Sequence, residues 1–137
     1  MSAPVARRYF LRGRELLKRG DLDSACHEFG NALELVPDFV EARVGFALTL
    51  ARIDPPRAAQ SLRSGLNRTA RPGQRKQLLC ALGDVLLTSG DYPGAEAAYE
   101  EATTLGAAKL HDRLGRLRAK TGRFAEAIGE LLLAARG

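Results

Sequence analysis

Residues 82–102 read LGDVLLTSGDYPGAEAAYEEA. Gly83, Ala95 and Ala102 stand among Leu79, Leu82, Leu86 and Tyr99, which predicts two helices packed closely around a turn at Gly90-Asp91. Helix axes in contact lie about 8 to 10 Å apart, and the short end of that range requires Gly or Ala at the crossing. One such hairpin cannot bury its own apolar face. It has to stack on others, and its pattern recurs on both sides.

Upstream, a first helix runs through Tyr9, Gly13 and Leu16 to Arg19, after residues 1–4 that read as a short leader, with Pro4 suited to an opening helical turn. Gly20-Asp21 breaks it, and Asp21 caps a second helix bearing Ala25, Phe29 and Ala32. That helix stops at Val36-Pro37, because proline restricts its predecessor. Val40, Arg43, Phe46, Ala47 and Leu50 recur at helical spacing in a third helix, ending near Ile53-Asp54. Pro55 and Pro56 open a fourth, in which Ala58, Leu62 and Gly65 repeat the places of Ala25, Phe29 and Ala32. Arg71-Pro72-Gly73 reads as the strongest loop signal in the chain. Downstream, Leu105-Gly106 closes the opening hairpin, and two further helices flank a Gly122-Arg123-Phe124 turn, with Leu114 and Gly115 before it and Ala127, Leu131 and Ala134 after it. No segment alternates with period two for long enough to make a strand, so the fold class is all-α.

The bulk numbers agree. At 137 residues the chain holds one ordinary core. A charged fraction of 27% beside 45% hydrophobic residues marks a globular rather than disordered chain. No apolar run approaches a membrane span, and no uninterrupted apolar segment with a cleavage site follows the N-terminus, so a soluble, cytoplasmic protein is expected. Cys26 and Cys80 form neither a disulfide framework nor, with His27 and His111, a metal set; they read as reduced structural thiols, and neither a metal nor a cofactor is expected. The net charge of +5 favours an acidic partner.

Aligned on their first small residue, the hairpins give Gly13, Ala47, Gly83 and Gly115, separated by 34, 36 and 32 residues. At this period, with Tyr9, Gly13, Leu16, Ala25, Phe29 and Pro37 in the first unit and Leu82-Gly83, Leu86, Ala95 and Tyr99 in the third, the chain resembles the tetratricopeptide repeat family. The resemblance implies a single domain: a right-handed superhelical solenoid of about four helix-turn-helix units and eight helices, with repeats at approximately 6–39, 40–73, 76–107 and 108–137. Departures are clear. Arg12 takes a leucine slot, Ala47 replaces the glycine, Arg43 sits where an aromatic is common, and Asp54-Pro55-Pro56 replaces the Gly-Asp turn.

No phosphate-cradling loop, paired-histidine motif or nucleophile elbow is present, so no catalytic residue is assigned and no enzyme is expected. Cys26 and His27 are adjacent on a helix and diverge by about 100°, which rules out a facing dyad. In the resembled family the first helices of the units line a groove for peptides. The corresponding positions are Arg7, Phe10, Arg14, Leu17 and Lys18 in the first unit and Glu41, Val44, Leu48, Ala51 and Arg52 in the second. The third contributes Gln77, Cys80, Asp84, Leu87 and Thr88, and the fourth Lys109, Asp112, Arg116, Ala119 and Lys120. Seven basic against three acidic residues predict a groove for an acidic or amphipathic segment of a protein partner. The family's clamp for a C-terminal carboxylate is not expected, since its slots hold Phe10, Arg14, Gly45, Gln77 and Ala81.

Ile128 and Leu132 fall where the preceding unit has Glu96 and Glu100, on the outer face of the last helix. Solenoids end in polar caps, so this pair predicts self-association, the alternatives being a longer array or simple exposure. The rival class is nucleic-acid binding through Arg7, Arg8, Arg12, Arg14, Lys18 and Arg19, because phosphate contacts need little beyond positive charge. Only Tyr9 and Phe10 lie near that cluster for base stacking, with Tyr9 expected in the core, so the protein partner is the leading reading.

Overall fold

The computed structural model describes residues 2–106, 113–115, 117, 119–122 and 131–133. Among the described residues all regular structure is helical. Six helices follow in order: α1 (Ser2–Lys18), α2 (Leu22–Leu35), α3 (Val40–Leu50), α4 (Pro55–Arg68), α5 (Pro72–Ser89) and α6 (Tyr92–Thr104). Helical residues at 113–115, 117, 119–122 and 131–133 fall where the last two helices are expected. Consecutive helices pack on one another, and α1, α3 and α5 also touch in series. This is the all-α solenoid expected from the repeat.

The Gly-Asp dipeptides do two jobs each. Gly20 and Gly90 adopt φ of 81° and 89°, a left-handed conformation that a side chain disfavours. The N–H groups of Gly20 and Asp21 then reach back to the Leu17 and Leu16 carbonyls at 3.0 Å, and those of Gly90 and Asp91 to Leu87 and Leu86 at 3.2 and 2.9 Å. This double closure satisfies carbonyls that the helix end leaves unpaired. Each aspartate next accepts from the following helix, Asp21 from the Ser24 N–H at 3.5 Å and Asp91 from the Gly94 N–H at 3.0 Å. Asp54 caps α4 similarly through the Arg57 N–H at 3.4 Å, with Pro55 and Pro56 in its first turn.

The core is made of rings set against glycines. Ala25, Phe29 and Ala32 are fully buried, as are Ala58 and Leu62. A Cβ added to Gly13 would come within 2.7 Å of the Phe29 ring, and one on Gly45 within 2.9 Å of the same ring. Gly83 bears the same relation to Tyr99, which is fully buried. The first cluster, around Phe10, Phe29 and Ala42, meets the second, around Leu62, Leu78, Leu82 and Tyr99, through half-buried Phe46.

Three boundaries differ from the sequence reading. Residues 2–4 belong to α1 instead of a leader. Helix α3 ends at Leu50, with residues 51–53 in a turn. Pro72 and Gly73 open α5, so only the residues before them form the loop; proline marks a helix start as readily as a break, because the N–H it lacks has no partner there.

Candidate functional site

The candidate groove is the face shared by α1, α3 and α5. On α1, Arg7, Arg14 and Lys18 are exposed, and Leu17 is half-buried against the first core cluster. Lys18 pairs with Glu15 at 3.5 Å. Arg14 lies with its guanidinium 5.7 Å from the Phe10 ring centre, a cation–π distance. On α3, Val44 is half-buried, Leu48 is 38% exposed, and Arg52 is exposed just past the helix end. On α5, Gln77 is exposed and Cys80 and Leu87 are half-buried. Lys120 is exposed; Lys109, Arg116 and Ile128 lie outside the described residues.

Phe10 and Asp84 take places the sequence reading did not give them. Phe10 is only 6% exposed, with its ring centre 5.9 Å from Phe29 and 5.2 Å from Phe39. It is therefore core, and Tyr9, expected in the core, is half-buried. The turn residue Phe39 draws Phe10 inward. Asp84 accepts from the buried Tyr99 hydroxyl at 2.5 Å and pairs with Arg113 at 3.2 Å. Its charge is thus engaged in tying α5 to α6 and to the helix beyond. Burial, then the hydrogen bond to Asp84, pushes the Tyr99 pKa well up.

With Asp84 engaged, the cations dominate the groove. None of Arg7, Arg14 and Arg52 has a described carboxylate within ion-pair distance. Cys26 and Cys80 are free thiols, and burial raises the pKa of each, as do Asp23 near Cys26 and Asp84 near Cys80; a raised pKa makes a thiol less reactive. Among the described residues no group of three or more His, Cys, Asp or Glu side chains could hold a metal ion. No described helix is long and apolar enough to cross a membrane.

Two arginines whose contacts the sequence reading did not supply, Arg43 in an aromatic slot and Arg75, tie neighbouring elements together. Arg43 donates to the Pro37 carbonyl at 3.1 Å and to the Ser61 carbonyl at 3.2 Å, joining the α2–α3 turn to α4. Burial, and then the nearby charge of Arg68, lowers its pKa. Its stem packs over Gly65, where an added Cβ would collide with it. Arg75 donates to the Leu66 and Thr69 carbonyls at 2.8 and 3.1 Å and pairs with Glu101 at 3.3 Å.

The sequence matches the tetratricopeptide repeat over residues 10–74 and 80–137. The chain belongs to the tetratricopeptide repeat family. No curated protein matches it, but its fold has many solved counterparts. It is similar to the first tetratricopeptide domain of Spaghetti (RPAP3) bound to the HSP90 peptide SRMEEVD, with a TM-score of 0.73 at 14% identity, covering 88% of this chain and 95% of that one. The Sgt2 domain of Aspergillus fumigatus gives a TM-score of 0.76 at 19% identity, covering 93% and 83%. The TPR2B domain of yeast Sti1 in complex with pHsp70 gives 0.72 at 17%, covering 90% and 98%. These likenesses establish the tetratricopeptide fold.

Proposed function

We propose that this tetratricopeptide protein is a non-catalytic, cytoplasmic adaptor whose groove holds an acidic or amphipathic segment of a protein partner. The observation that carries the reading is the set of exposed cations Arg7, Arg14 and Arg52, without described carboxylate partners, above half-buried Leu17, Val44 and Leu87. Such a face attracts carboxylates at long range and offers apolar contact at short range. Similar domains that hold HSP90 and pHsp70 ligands lend support, and the first of those ligands, SRMEEVD, is rich in acid. The chemistry here differs from the carboxylate clamp, since Phe10 and Ala81 are buried and Gly45 lies against Phe29.

The same reading includes self-association through Leu132, which is 61% exposed beside Leu131 and Leu133 at 71% and 68%. The nucleic-acid reading has the exposed Arg7, Arg8, Arg12, Arg14, Lys18 and Arg19 in its favour. It is weakened by the burial of Phe10, which removes a stacking face. The test is affinity capture of partners from native lysate followed by a salt titration. Arg14→Glu/Arg52→Glu should abolish salt-sensitive binding without loss of helical circular dichroism. Capture that survives both substitutions would exclude the groove.

A further inference from the structure

The geometry points to a built apolar subsite at the α1 end of the groove, for one branched or aromatic side chain flanked by carboxylates in an extended peptide. This inference rests on the groove reading above and specifies its ligand. Ala3, Arg7, Val36 and Phe39 line an open cleft of about 260 Å³. That is below the range of roughly 300 to 1,000 Å³ typical of small-molecule sites, and suits a single side chain.

The Val36–Phe39 wall is fixed. The Phe39 N–H closes the turn on the Val36 carbonyl at 3.0 Å, Arg43 holds the Pro37 carbonyl within that turn at 3.1 Å, and the Phe39 ring rests on Phe10 at 5.2 Å. A cleft with a braced wall requires little ordering when a ligand enters. The small side chain of Ala3 leaves it open.

Charge supplies the rest of the specification. Ala3, Arg7, Phe10 and Arg14 follow one another at helical spacing, so Arg7 and Arg14 lie along the same stripe. Seven residues of helix separate them by about 10 Å, the rise of roughly three residues of extended chain. The fitting segment therefore has an apolar side chain, an acid beside it for Arg7, and a second acid about three residues further for Arg14.

The probe is the fluorescein-labelled peptide Glu-Ser-Ser-Asp-Leu-Asp-Ser-Ser-Glu, which reads the same in either direction, compared by anisotropy with its Leu→Ala counterpart. The full chain should bind the leucine peptide on the order of 10-fold more tightly. Ala3→Phe fills the cleft from an exposed position without cutting the core. It should bring the two peptides to equal affinity. Equal affinities in the natural protein, or a leucine preference that persists in Ala3→Phe, would overturn the subsite while Arg14→Glu/Arg52→Glu still weakens both peptides. Binding of neither peptide at low salt would overturn the groove reading and the subsite together.

Discussion

Replacing Gly83 by alanine places a methyl group where the buried Tyr99 ring already stands. An ideal Cβ at this position would lie 2.5 Å from Tyr99 Cδ1 and 2.8 Å from Cζ, well inside van der Waals contact. The ring cannot retreat freely, because its hydroxyl donates to Asp84 at 2.5 Å. Against this, alanine in a helix is favoured over glycine by about 0.5 to 1 kcal/mol. Overpacking typically costs about 1 to 3 kcal/mol, and loosening a hydrogen bond to a charged group adds about 1.5 to 3 kcal/mol. The expected net destabilisation is about 1.5 to 5.5 kcal/mol. Gly73→Ala is the control, since a Cβ there meets nothing within 4 Å; it should be neutral or stabilising by up to about 1 kcal/mol. Urea unfolding followed at 222 nm measures both. A Gly83→Ala protein as stable as the natural one would refute the close approach of α5 to Tyr99. Adding Tyr99→Leu should reveal coupling, with the double variant less destabilised than the two single effects added together.

Arg43→Met keeps the stem over Gly65 but removes the donors to Pro37 and Ser61, and should cost about 1 to 3 kcal/mol in the same assay. Asp91→Ala should destabilise by about 1 kcal/mol, and Asp21→Ala by less, because the Asp21 bond is longer, at 3.5 Å against 3.0 Å. The raised Tyr99 pKa predicts an alkaline loss of stability: the unfolded tyrosine loses its proton near pH 10 while the folded one keeps it, so stability falls as pH climbs past about 10. Cys26 and Cys80, also raised, add a loss of the same sign starting near the ordinary thiol pKa of about 8.5. Tyr99→Phe should flatten the limb above pH ~10 in a pH series of urea melts. Light scattering of Ile128→Glu/Leu132→Glu should report a lower mass than the natural protein at the same concentration; equal masses would end the self-association proposal.

The repeat was readable in the sequence because its signals are local. Gly20-Asp21 and Gly90-Asp91 each carry the turn and the next cap, and Ala25, Phe29, Ala95 and Tyr99 fall at a fixed distance from them. The face of α1 was harder. Tyr9 and Phe10 are neighbours in sequence, and which one enters the core depends on Phe39, whose ring arrives from a turn about thirty residues away. Helical periodicity does not contain that contact. Arg43 and Arg75 were opaque for a different reason, since their partners are mainly backbone carbonyls, which no residue type announces. Asp84 looked like a groove charge because its spacing is right for one; only the Tyr99 hydroxyl and Arg113 reveal that it is engaged.

Phe29 belongs to α2, yet it fills the space left by glycines on both α1 and α3. One ring thus serves as a common wall for two units. The terminal unit of a repeat array ordinarily frays first, since it has a neighbour on one side only. Here α1 cannot leave without uncovering a side chain on which α3 also rests. Amide exchange in α1, α2 and α3 should therefore follow a single opening event, and the first half of the groove should behave as one rigid block, already curved before any ligand arrives.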